Sequence, residues 1–412
     1  MHFILATIGS AGDLFPFLWI GRALQARGHR VDFLGPEQHA PFVEQAGLTF
    51  HGLPADMAVL DHPDLWHPTR GLSVVWEATR PAMTQLPALV DALAVEKRTV
   101  LLAHPLALPE ADLCRHARPG LTIAAAWLAP SNLPTVHDPL LLGPWPVPAW
   151  VPHRARRWLW RRLAARFIDP VALPDLNRER QARGLAPVRD FVGYMAGVPD
   201  LSLALFPDWF AAPQPDWPAS LHQAGFPLYD PDPDAAPGAA LRAFLDAGAP
   251  PVVFTPGTGN RQAGAYFAAA AQAVGALGLR AIVLTPHREQ LPGSLPSTIC
   301  WQEYVPLKAL LPHIAALVHH GGIGTTAEAL RAGTPQLIVP LAHDQFDNAA
   351  RVMALGAGAS LHATRVTPAR MAQALRQVVG NEAMARNCAG VANRFVGPDP
   401  IGPLCDRLEA LA

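Results

Sequence analysis

The chain has few charged residues, few cysteines and almost no net charge, and these shortages exclude several classes of protein. Charged residues make up 16% of its 412 residues, and the formal net charge is −1. A protein with no excess of positive charge has no electrostatic basis for binding nucleic acid. The four cysteines are scattered without metal-ligand spacing, which indicates reduced thiols in a cytoplasmic protein.

The sequence also lacks the signals of export and of membrane insertion. Residues 1–9 carry no basic leader and no cleavage site, so they predict a first strand rather than a signal peptide. The uncharged run 119–136 is interrupted by Pro and Gly, and the uncharged run 262–279 is rich in Ala and Gly. Neither run predicts a membrane-spanning helix. We therefore expect a cytoplasmic protein, long enough for two domains with separate cores.

The most informative stretch is a glycine turn between a predicted strand and a predicted helix. The apolar run 315–318 predicts a buried strand, and residues 327–332 predict a helix that ends at Gly333. Glycines let the backbone approach a ligand closely, and the first turn of a helix offers free N–H groups with partial positive charge. The pattern predicts an anion site, most simply for phosphate. The residues expected around the anion are His320, Gly322, Gly324, Thr325 and Thr326.

Residues on either side of this turn suit the other parts of a nucleotide sugar. A second predicted strand, 336–340, leads to the pair Asp344-Gln345, whose acceptors and donors suit sugar hydroxyls. Because parallel strands end at the same edge of a sheet, this pair should lie beside the anion site. Upstream, Tyr304 and Val305 offer an aromatic ring and backbone groups to which a nucleobase could stack and pair.

Residues 304–348 resemble the donor-binding motif of the nucleotide-sugar glycosyltransferases of family 1, which have the GT-B fold. The tryptophan that usually opens this motif is Tyr304 here, its His-Gly-Gly core begins at His320, and its acid–amide pair is Asp344-Gln345. The motif leaves open whether His319 or His320 contacts the phosphate, although the usual register favours His320.

This resemblance implies an α/β protein with two Rossmann-like, doubly wound parallel-sheet domains that face a central cleft. It implies that Gly257 and Thr258, in the first loop of the second domain, reach the donor phosphates. It also implies that Glu328 holds sugar hydroxyls of the nucleotide, and that no cofactor is needed besides the nucleotide-sugar substrate.

The first 34 residues predict a strand at 2–8, a turn, a helix at 17–25 and a second strand. The turn is not a dinucleotide fingerprint, because it does not match Gly-x-Gly-x-x-Gly and no acidic residue ends the second strand. Asp13 in this turn has two interpretations: a helix N-cap or a general base. Bacterial members of the family carry Gly-x-x-Gly-Asp-x-x-Pro here, matched from Gly9 through Gly12 and Asp13 to Pro16. The resemblance therefore implies that Asp13 deprotonates the acceptor hydroxyl, with Gly12 on the donor side.

The loop 128–137 follows a predicted strand and, by its position, should line the pocket for the acceptor. The candidate acceptor-binding residues are Phe15, Trp127, Ser131 and His137. For His137 a packing or surface role is the simpler interpretation.

Residues 144–168 alternate Trp with Pro and then Trp with Arg. One interpretation is a crossover and an amphipathic helix whose aromatic residues fill the core of the first domain. The other is a ramp at the acceptor mouth, in which residues 145–162 touch the inner face of the cytoplasmic membrane, because Trp and Arg suit that interface.

The densest proline run predicts the domain boundary. The expected organisation is an acceptor-binding domain at 1–206, a linker at 207–239, a nucleotide-sugar-binding domain at 240–395 and, from the resemblance, a C-terminal helix at 396–412 that returns to the first domain. The linker contains Asp230-Pro231-Asp232-Pro233-Asp234, which includes the Asp-x-Asp pattern that binds metal in other glycosyltransferases. The prolines between these acids indicate a solvated turn, so no metal is expected.

Four segments outside the donor motif, and one at its end, resemble the rhamnosyltransferase family of rhamnolipid biosynthesis. They are residues 9–17, 206–211, 216–218, 225–228 and 342–349. This resemblance implies metal-independent, inverting transfer of L-rhamnose from dTDP-L-rhamnose to a 3-(3-hydroxyalkanoyloxy)alkanoic acid, a lipid-like acceptor that a partner subunit of the same rhamnosyltransferase would make. The alternatives are a natural-product or sterol/lipid glycosyltransferase that uses a UDP-sugar, and an inactive auxiliary subunit that binds a nucleotide sugar.

Overall fold

The computed structural model describes residues 1–67, 69–94, 98–138, 141–142, 145–232 and 234–411, with only the backbone of Met57, Leu141 and Leu142. The polypeptide divides into two compact units, one formed by Met1–Pro231 with Asp399–Ala412 and the other by Asp232–Pro398. Pro144 and Pro233, which belong to the proline-rich stretches above, lie outside the described residues.

The first unit is built on a seven-stranded parallel sheet with the order β3-β2-β1-β4-β5-β8-β9. Its strands are β1 (His2–Ala6), β2 (Arg30–Pro36), β3 (Thr49–Leu53), β4 (Thr99–Ala103), β5 (Thr122–Trp127), β6 (Leu141–Leu142), β7 (Trp145–Pro146), β8 (Leu201–Ala204) and β9 (Leu221–Gln223), of which β6 and β7 form a separate antiparallel pair. The strand order reverses between β1 and β4, so the loops after these two strands border one crevice.

Helices cover this sheet and bury its apolar strands. They are α1 (Ala11–Ala26), α2 (Ala40–Gln45), α3 (Gly71–Leu93), α4 (Leu108–Ala117), α5 (His153–Leu163), α6 (Asp169–Ala182) and α7 (Phe191–Gly197). The central side chains of three neighbouring strands, Leu5, Leu101 and Ile123, are completely buried. Burial of both faces explains why these strands are continuous apolar runs rather than alternating ones.

The first helix begins earlier than the sequence predicts. The pattern predicts a start at residue 17, but α1 begins at Ala11 and carries Pro16 inside it. The Asp13 carboxylate accepts a hydrogen bond from the backbone N–H of Ser10 at 2.7 Å, which is half of a capping box. This local bond satisfies an N–H group at the helix start and outweighs the turn signal of the glycines and the proline.

The second unit repeats the same architecture with a six-stranded parallel sheet in the order β12-β11-β10-β13-β14-β15. Its strands are β10 (Val252–Thr255), β11 (Ala281–Leu284), β12 (Ile299–Gln302), β13 (Ala316–His319), β14 (Gln336–Ile338) and β15 (Gly358–Ser360). Its helices are α8 (Ala239–Asp246), α9 (Gly264–Leu277), α10 (Leu307–Leu310), α11 (Ile323–Arg331), α12 (Gln345–Ala354), α13 (Pro368–Val378) and α14 (Glu382–Ala392). The order reverses between β10 and β13, which places the crevice of this sheet beside the glycine turn. Two Rossmann-like units confirm the predicted fold class.

Part of the predicted linker contributes to the first unit. Strand β9 lies within 207–239 and pairs with β8, with Leu221 opposite Ser202. The indole N–H of Trp217 donates to the carbonyl of Leu133 at 2.9 Å. Prolines here therefore interrupt an ordered segment that packs on the sheet.

The last helix, α15 (Ile401–Glu409), belongs to the first unit as well. The guanidinium of Arg27 donates to Asp406 at 2.7 Å and to Glu409 at 3.0 Å, and Nε2 of His29 lies 2.7 Å from Glu409. Across the part of the sequence that the structure describes, no helix combines the length and the apolar character needed to cross a bilayer.

Candidate donor and acceptor sites

The ring of His320 packs between two glycines where the order of the second sheet reverses. Gly257 follows β10, and Thr255 at the end of β10 is opposite His319 at the end of β13. A Cβ added to Gly257 would lie 2.8 Å from Cε1 of His320, and one added to Gly322 would lie 2.5 Å from its Nε2. Gly257 also has a φ of 92°, which favours glycine. The two glycines thus make room for the imidazole.

The two adjacent histidines differ in what they can still bind. His319 is fully buried, with Nε2 3.0 Å from Oε1 of Gln336 and with Nδ1 accepting from the N–H of Gly321 at 3.1 Å. Neither ring nitrogen of His320 has a partner among the described residues, and its Nδ1 is buried. The geometry leaves His320, not His319, able to donate to a ligand.

Burial keeps both imidazoles neutral at physiological pH. It lowers the pKa of His320 to about 4. Burial, together with the neighbouring His320, lowers the pKa of His319 to about 3 against the opposing effect of the Gln336 hydrogen bond. A neutral His320 offers an anion one N–H donor rather than a positive charge.

Helix α11 begins directly after this histidine, with Gly322 as its N-cap. The N–H groups of its first turn have no partner within the helix and carry the positive end of its dipole. Gly324 is exposed and Thr325 half-buried, whereas Thr326 is buried and its hydroxyl has no partner among the described residues. The five residues predicted around the anion therefore lie at one helix start, with Thr326 deepest.

The acid–amide pair lies beside the same turn. Asn348 donates to the carbonyl of Gly321 at 2.9 Å and to the carboxylate of Asp344 at 2.7 Å, so it ties the two segments together. The side-chain oxygen of Gln345 accepts from the N–H groups of Leu341 and Ala342 at 2.7 and 3.1 Å. Gln345 is thus fixed by the backbone of its own loop, and only its amide nitrogen remains to donate.

The other predicted donor residues differ in exposure. Tyr304 is 60% exposed, whereas the side chain of Val305 packs in the hydrophobic core of the second unit. Thr258 is exposed in the loop after β10. Glu328 is held by Arg331 through an ion pair of 2.5 Å.

In the first unit, Asp13 and His104 meet at the reversal between β1 and β4. One oxygen of Asp13 accepts from the N–H of Ser10 at 2.7 Å and from its hydroxyl at 3.1 Å, and the other lies 3.4 Å from Nε2 of His104. Nδ1 of His104 accepts from the N–H of Leu106 at 3.2 Å, so Nε2, which faces Asp13, is the nitrogen that carries a proton.

The environment of Asp13 favours the ionised carboxylate. Burial raises its pKa, but the hydrogen bond and charge of His104, together with the bonds from Ser10, lower it further, so the net pKa lies below the usual value of 3.8. Gly12 beside it is exposed. The interpretation of Asp13 as the N-cap is wrong, because Ser10 is the N-cap of α1 and Asp13 is the third residue of the helix, where it completes the capping box. Its carboxylate is ionised, as a general base requires.

The candidate acceptor residues all belong to the first unit. Trp127 ends β5 and is buried, and its indole nitrogen has no partner among the described residues. Ser131 is exposed. The rings of His137 and His153 lie 4.4 Å apart, and Phe15 packs 5.8 Å from Tyr229.

The Trp-rich segment does not fill the core as one interpretation of the sequence predicts. The exposed fractions of Trp145, Trp150 and Trp158 are 70%, 82% and 61%. The buried side of α5 carries Arg156 instead of a tryptophan. Its guanidinium N–H groups donate to carbonyls of the preceding loops. The prediction of a core filled by these three tryptophans is wrong.

Two family models match the sequence. Residues 3–107 match the glycosyltransferase family 28 N-terminal domain, and residues 270–411 match the C-terminal domain of erythromycin biosynthesis protein CIII-like proteins. The O-mycaminosyltylonolide 6-deoxyallosyltransferase of Streptomyces fradiae is 34% identical over 411 residues, which span 93% of this chain and 91% of that protein. The chain belongs to the GT-B glycosyltransferases of the natural-product type.

One further relative supports the same family, and two solved structures support the fold. The L-demethylnoviosyl transferase of Streptomyces niveus is 30% identical over 391 residues, with 92% of this chain and 90% of the relative covered. The glycosyltransferase of kitacinnamycin has a TM-score of 0.75 at 21% identity, with 100% of this chain and 98% of that one covered. The spinosyn rhamnosyltransferase SpnG, solved with thymidine diphosphate, has a TM-score of 0.66 at 22% identity, with 99% and 100% covered.

This glycosyltransferase takes a nucleotide-sugar donor and a small-molecule acceptor. The comparisons support the natural-product alternative better than rhamnolipid synthesis, since a rhamnosyltransferase among the similar structures carries nothing specific to rhamnolipids. Among the described residues no cluster of three or more His, Cys, Asp or Glu could hold a metal ion.

Sequence reasoning missed two residues of the candidate sites. His104 directly follows β4, whose neighbour in the sheet is β1, so strand order could have placed it beside Asp13. Asn348 ends the donor motif, but its contact with Gly321 depends on the path of the loop between β14 and α12, for which the sequence carries no signal.

Proposed function

We propose that the protein transfers a 6-deoxyhexose from a thymidine-diphosphate sugar to a hydroxyl group of an apolar natural product, with inversion at the anomeric carbon. The observation that carries the proposal is the unpartnered imidazole of His320, held between Gly257 and Gly322 at the start of α11. A neutral N–H donor and the first turn of a helix suit a diphosphate.

In the proposed donor site, His320, Gly257, Thr258 and the start of α11 bind the diphosphate. Gly322, Gly324, Thr325 and Thr326 form that start. Tyr304 stacks on the base, which pairs with the backbone of Val305, and Asp344 and Gln345 bind the sugar hydroxyls. The contact of Asn348 with Gly321, and that of His320 with Gly257, bring the segments assigned to the phosphates and to the sugar together in one unit, which supports this assignment.

In the proposed reaction, the acceptor oxygen attacks the anomeric carbon as the bond from that carbon to the phosphate oxygen breaks. Asp13 accepts the proton of the acceptor hydroxyl. Because its pKa is low, Asp13 is ionised at neutral pH but is a weak base, so proton transfer accompanies C–O bond formation rather than preceding it. The nucleoside diphosphate leaves with both bonding electrons, stabilised by fixed N–H dipoles.

Thymidine is the proposed nucleoside because the named relatives transfer deoxyallosyl and demethylnoviosyl groups and the SpnG structure contains thymidine diphosphate. Glu328 would hold the 3′-hydroxyl that deoxyribose retains, with its position set by Arg331. UDP-sugars are the alternative donors.

A second candidate function is transfer of L-rhamnose from dTDP-L-rhamnose to a 3-(3-hydroxyalkanoyloxy)alkanoic acid, with a partner rhamnosyltransferase subunit as supplier of the acceptor. It is favoured by the resemblance of residues 9–17 and 342–349 to the rhamnosyltransferases of rhamnolipid biosynthesis. Phe15, Trp127, Ser131 and His137 are the proposed acceptor contacts in either case.

The test is a matrix of purified protein with dTDP-L-rhamnose, another dTDP-6-deoxysugar or UDP-glucose against a macrolide aglycone or a hydroxyalkanoyloxy-alkanoic acid, with products read by mass spectrometry. We expect glycosides from dTDP-sugars. Products from UDP-glucose alone would contradict the proposed donor, and products with the lipid acid alone would select the second candidate.

A further inference from the structure

One segment of the first unit, residues 145–162, exposes tryptophan and arginine side chains. We define it as the Trp–Arg surface. It consists of Trp145, Trp150, Arg154, Arg157, Trp158, Arg161 and Arg162. All seven side chains are exposed. Tryptophan side chains are mostly buried in folded proteins. Three tryptophans of one segment, each more than half exposed, therefore indicate a surface that binds a partner.

The arginines of this surface lack the acidic partners that arginines have elsewhere in the protein. Arg154, Arg157 and Arg161 make no ion pair and no side-chain hydrogen bond among the described residues. Arg162 lies over the ring of Trp158 at 5.6 Å. The sequence from 139 to 168 contains no Asp or Glu, so this segment contributes only positive charge to the surface, although the whole protein has a net charge of −1.

The exposure of the tryptophans is built into the fold. Arg156, on the buried side of α5, donates to the carbonyls of Val136 at 3.1 Å, Pro148 at 3.1 Å and Ala149 at 2.7 Å. These bonds fix the turn that carries Trp150 and the orientation of the helix that carries Trp158. Because the inner side of α5 is fixed in this way, its opposite side faces outward as a rigid surface.

We propose that the Trp–Arg surface docks on the anionic headgroups of a phospholipid bilayer, such as the cytoplasmic leaflet of a membrane. Unpaired arginines complement anionic phosphates, and indole rings are enriched at the level of the headgroups. A second copy of the protein is the poorer occupant, because a two-fold contact would bring the same positive surface against itself.

The test is sedimentation of the full-length protein with phosphatidylcholine vesicles that contain or lack phosphatidylglycerol, at low and high salt. We expect binding only with phosphatidylglycerol, weakened by salt. Each arginine near a charged surface contributes about fivefold, so Arg157→Gln with Arg161→Gln should weaken partitioning about thirtyfold. Trp150→Ala should weaken it about tenfold through lost apolar burial.

The matched control is Arg370→Gln with Arg376→Gln, which removes two exposed arginines from α13 in the second unit. This variant should bind vesicles as the unmodified protein does. Circular dichroism confirms that each variant is folded. Absence of binding to anionic vesicles, or equal loss in both double variants, overturns the proposal. It is also overturned if the Arg157/Arg161 variant only converts a dimer into monomers in analytical ultracentrifugation.

Discussion

Nε2 of His104 lies 3.4 Å from a carboxylate oxygen of Asp13, at the point where the first sheet reverses its strand order. The remaining oxygen of Asp13 is fixed by Ser10 at the start of α1. An acid in the first turn of α1 and an imidazole directly after β4 are thus held together. The arrangement gives the proposed base a fixed orientation and a stabilised negative charge.

Replacement of Asp13 by Asn should lower kcat/KM by about 10²–10⁴-fold, the usual loss when a general base is removed. Binding of the nucleotide should stay nearly unchanged, because Asp13 belongs to the first unit and the predicted donor contacts, apart from Gly12, belong to the second. Steady-state kinetics and calorimetric titration measure the two quantities.

The control for this variant is Asp190→Asn, which alters another aspartate that bonds to the start of a helix, through the N–H of Gly193 at 3.1 Å. It should leave kcat/KM unchanged. If Asp13→Asn keeps wild-type turnover, Asp13 only completes the capping box of α1.

Replacement of His104 by Gln should raise the pKa of Asp13, because His104 is the largest of the influences that lower it. The acidic limb of the pH profile of kcat/KM should then move to higher pH. A lowered carboxylate pKa stabilises the fold above the unfolded value of about 3.9, and this contribution is lost as pH falls through the folded pKa.

The stability that His104 contributes should therefore be full at neutral pH and shrink in acid. Denaturant midpoints of the wild-type protein and of the His104→Gln variant, at neutral and at acidic pH, measure this contribution. A pH profile that does not move would show that His104 does not act through Asp13.

The buried, neutral His319 should also make the stability of the fold depend on pH. His319 has a folded pKa of about 3, below the usual value of 6.5, so its contribution is full above pH 6.5 and falls as pH drops towards 3. The maximal slope is about 1.4 kcal/mol per pH unit for one group. His319→Gln should be less stable at pH 7, and its midpoint should fall less between pH 7 and 5. An equal fall in both proteins would contradict burial of a neutral His319.

Treatment with EDTA should leave activity unchanged, because the proposed leaving-group stabilisation uses His320 and the N–H groups of α11 rather than a cation. The assay compares turnover before and after dialysis against the chelator. Loss of activity that Mg²⁺ or Mn²⁺ restores would contradict the proposal.

The sequence predicts the fold well where periodic apolar runs and glycine turns agree. Strand β13, the turn at His320 and α9 at Gly264–Leu277 follow from pattern alone. The sequence pattern misplaces the start of α1, because that start depends on the hydrogen bond that the Asp13 carboxylate accepts from the N–H of Ser10. The exposure of Trp150 is not predictable, since it depends on three carbonyl groups that accept from Arg156 and meet only in the folded protein.

The most direct test of the proposed donor site is calorimetric titration of dTDP and of UDP into the wild-type protein and into the His320→Ala and His313→Ala variants. His313 is exposed on the same unit and serves as the control. A hydrogen bond to a charged group contributes roughly 1.5–3 kcal/mol, so His320→Ala should weaken dTDP binding about tenfold to a hundredfold while His313→Ala should not. The wild-type protein should bind dTDP more tightly than UDP. Unchanged dTDP affinity in folded His320→Ala would contradict the proposed phosphate site, and tighter binding of UDP would contradict the proposed thymidine-diphosphate donor.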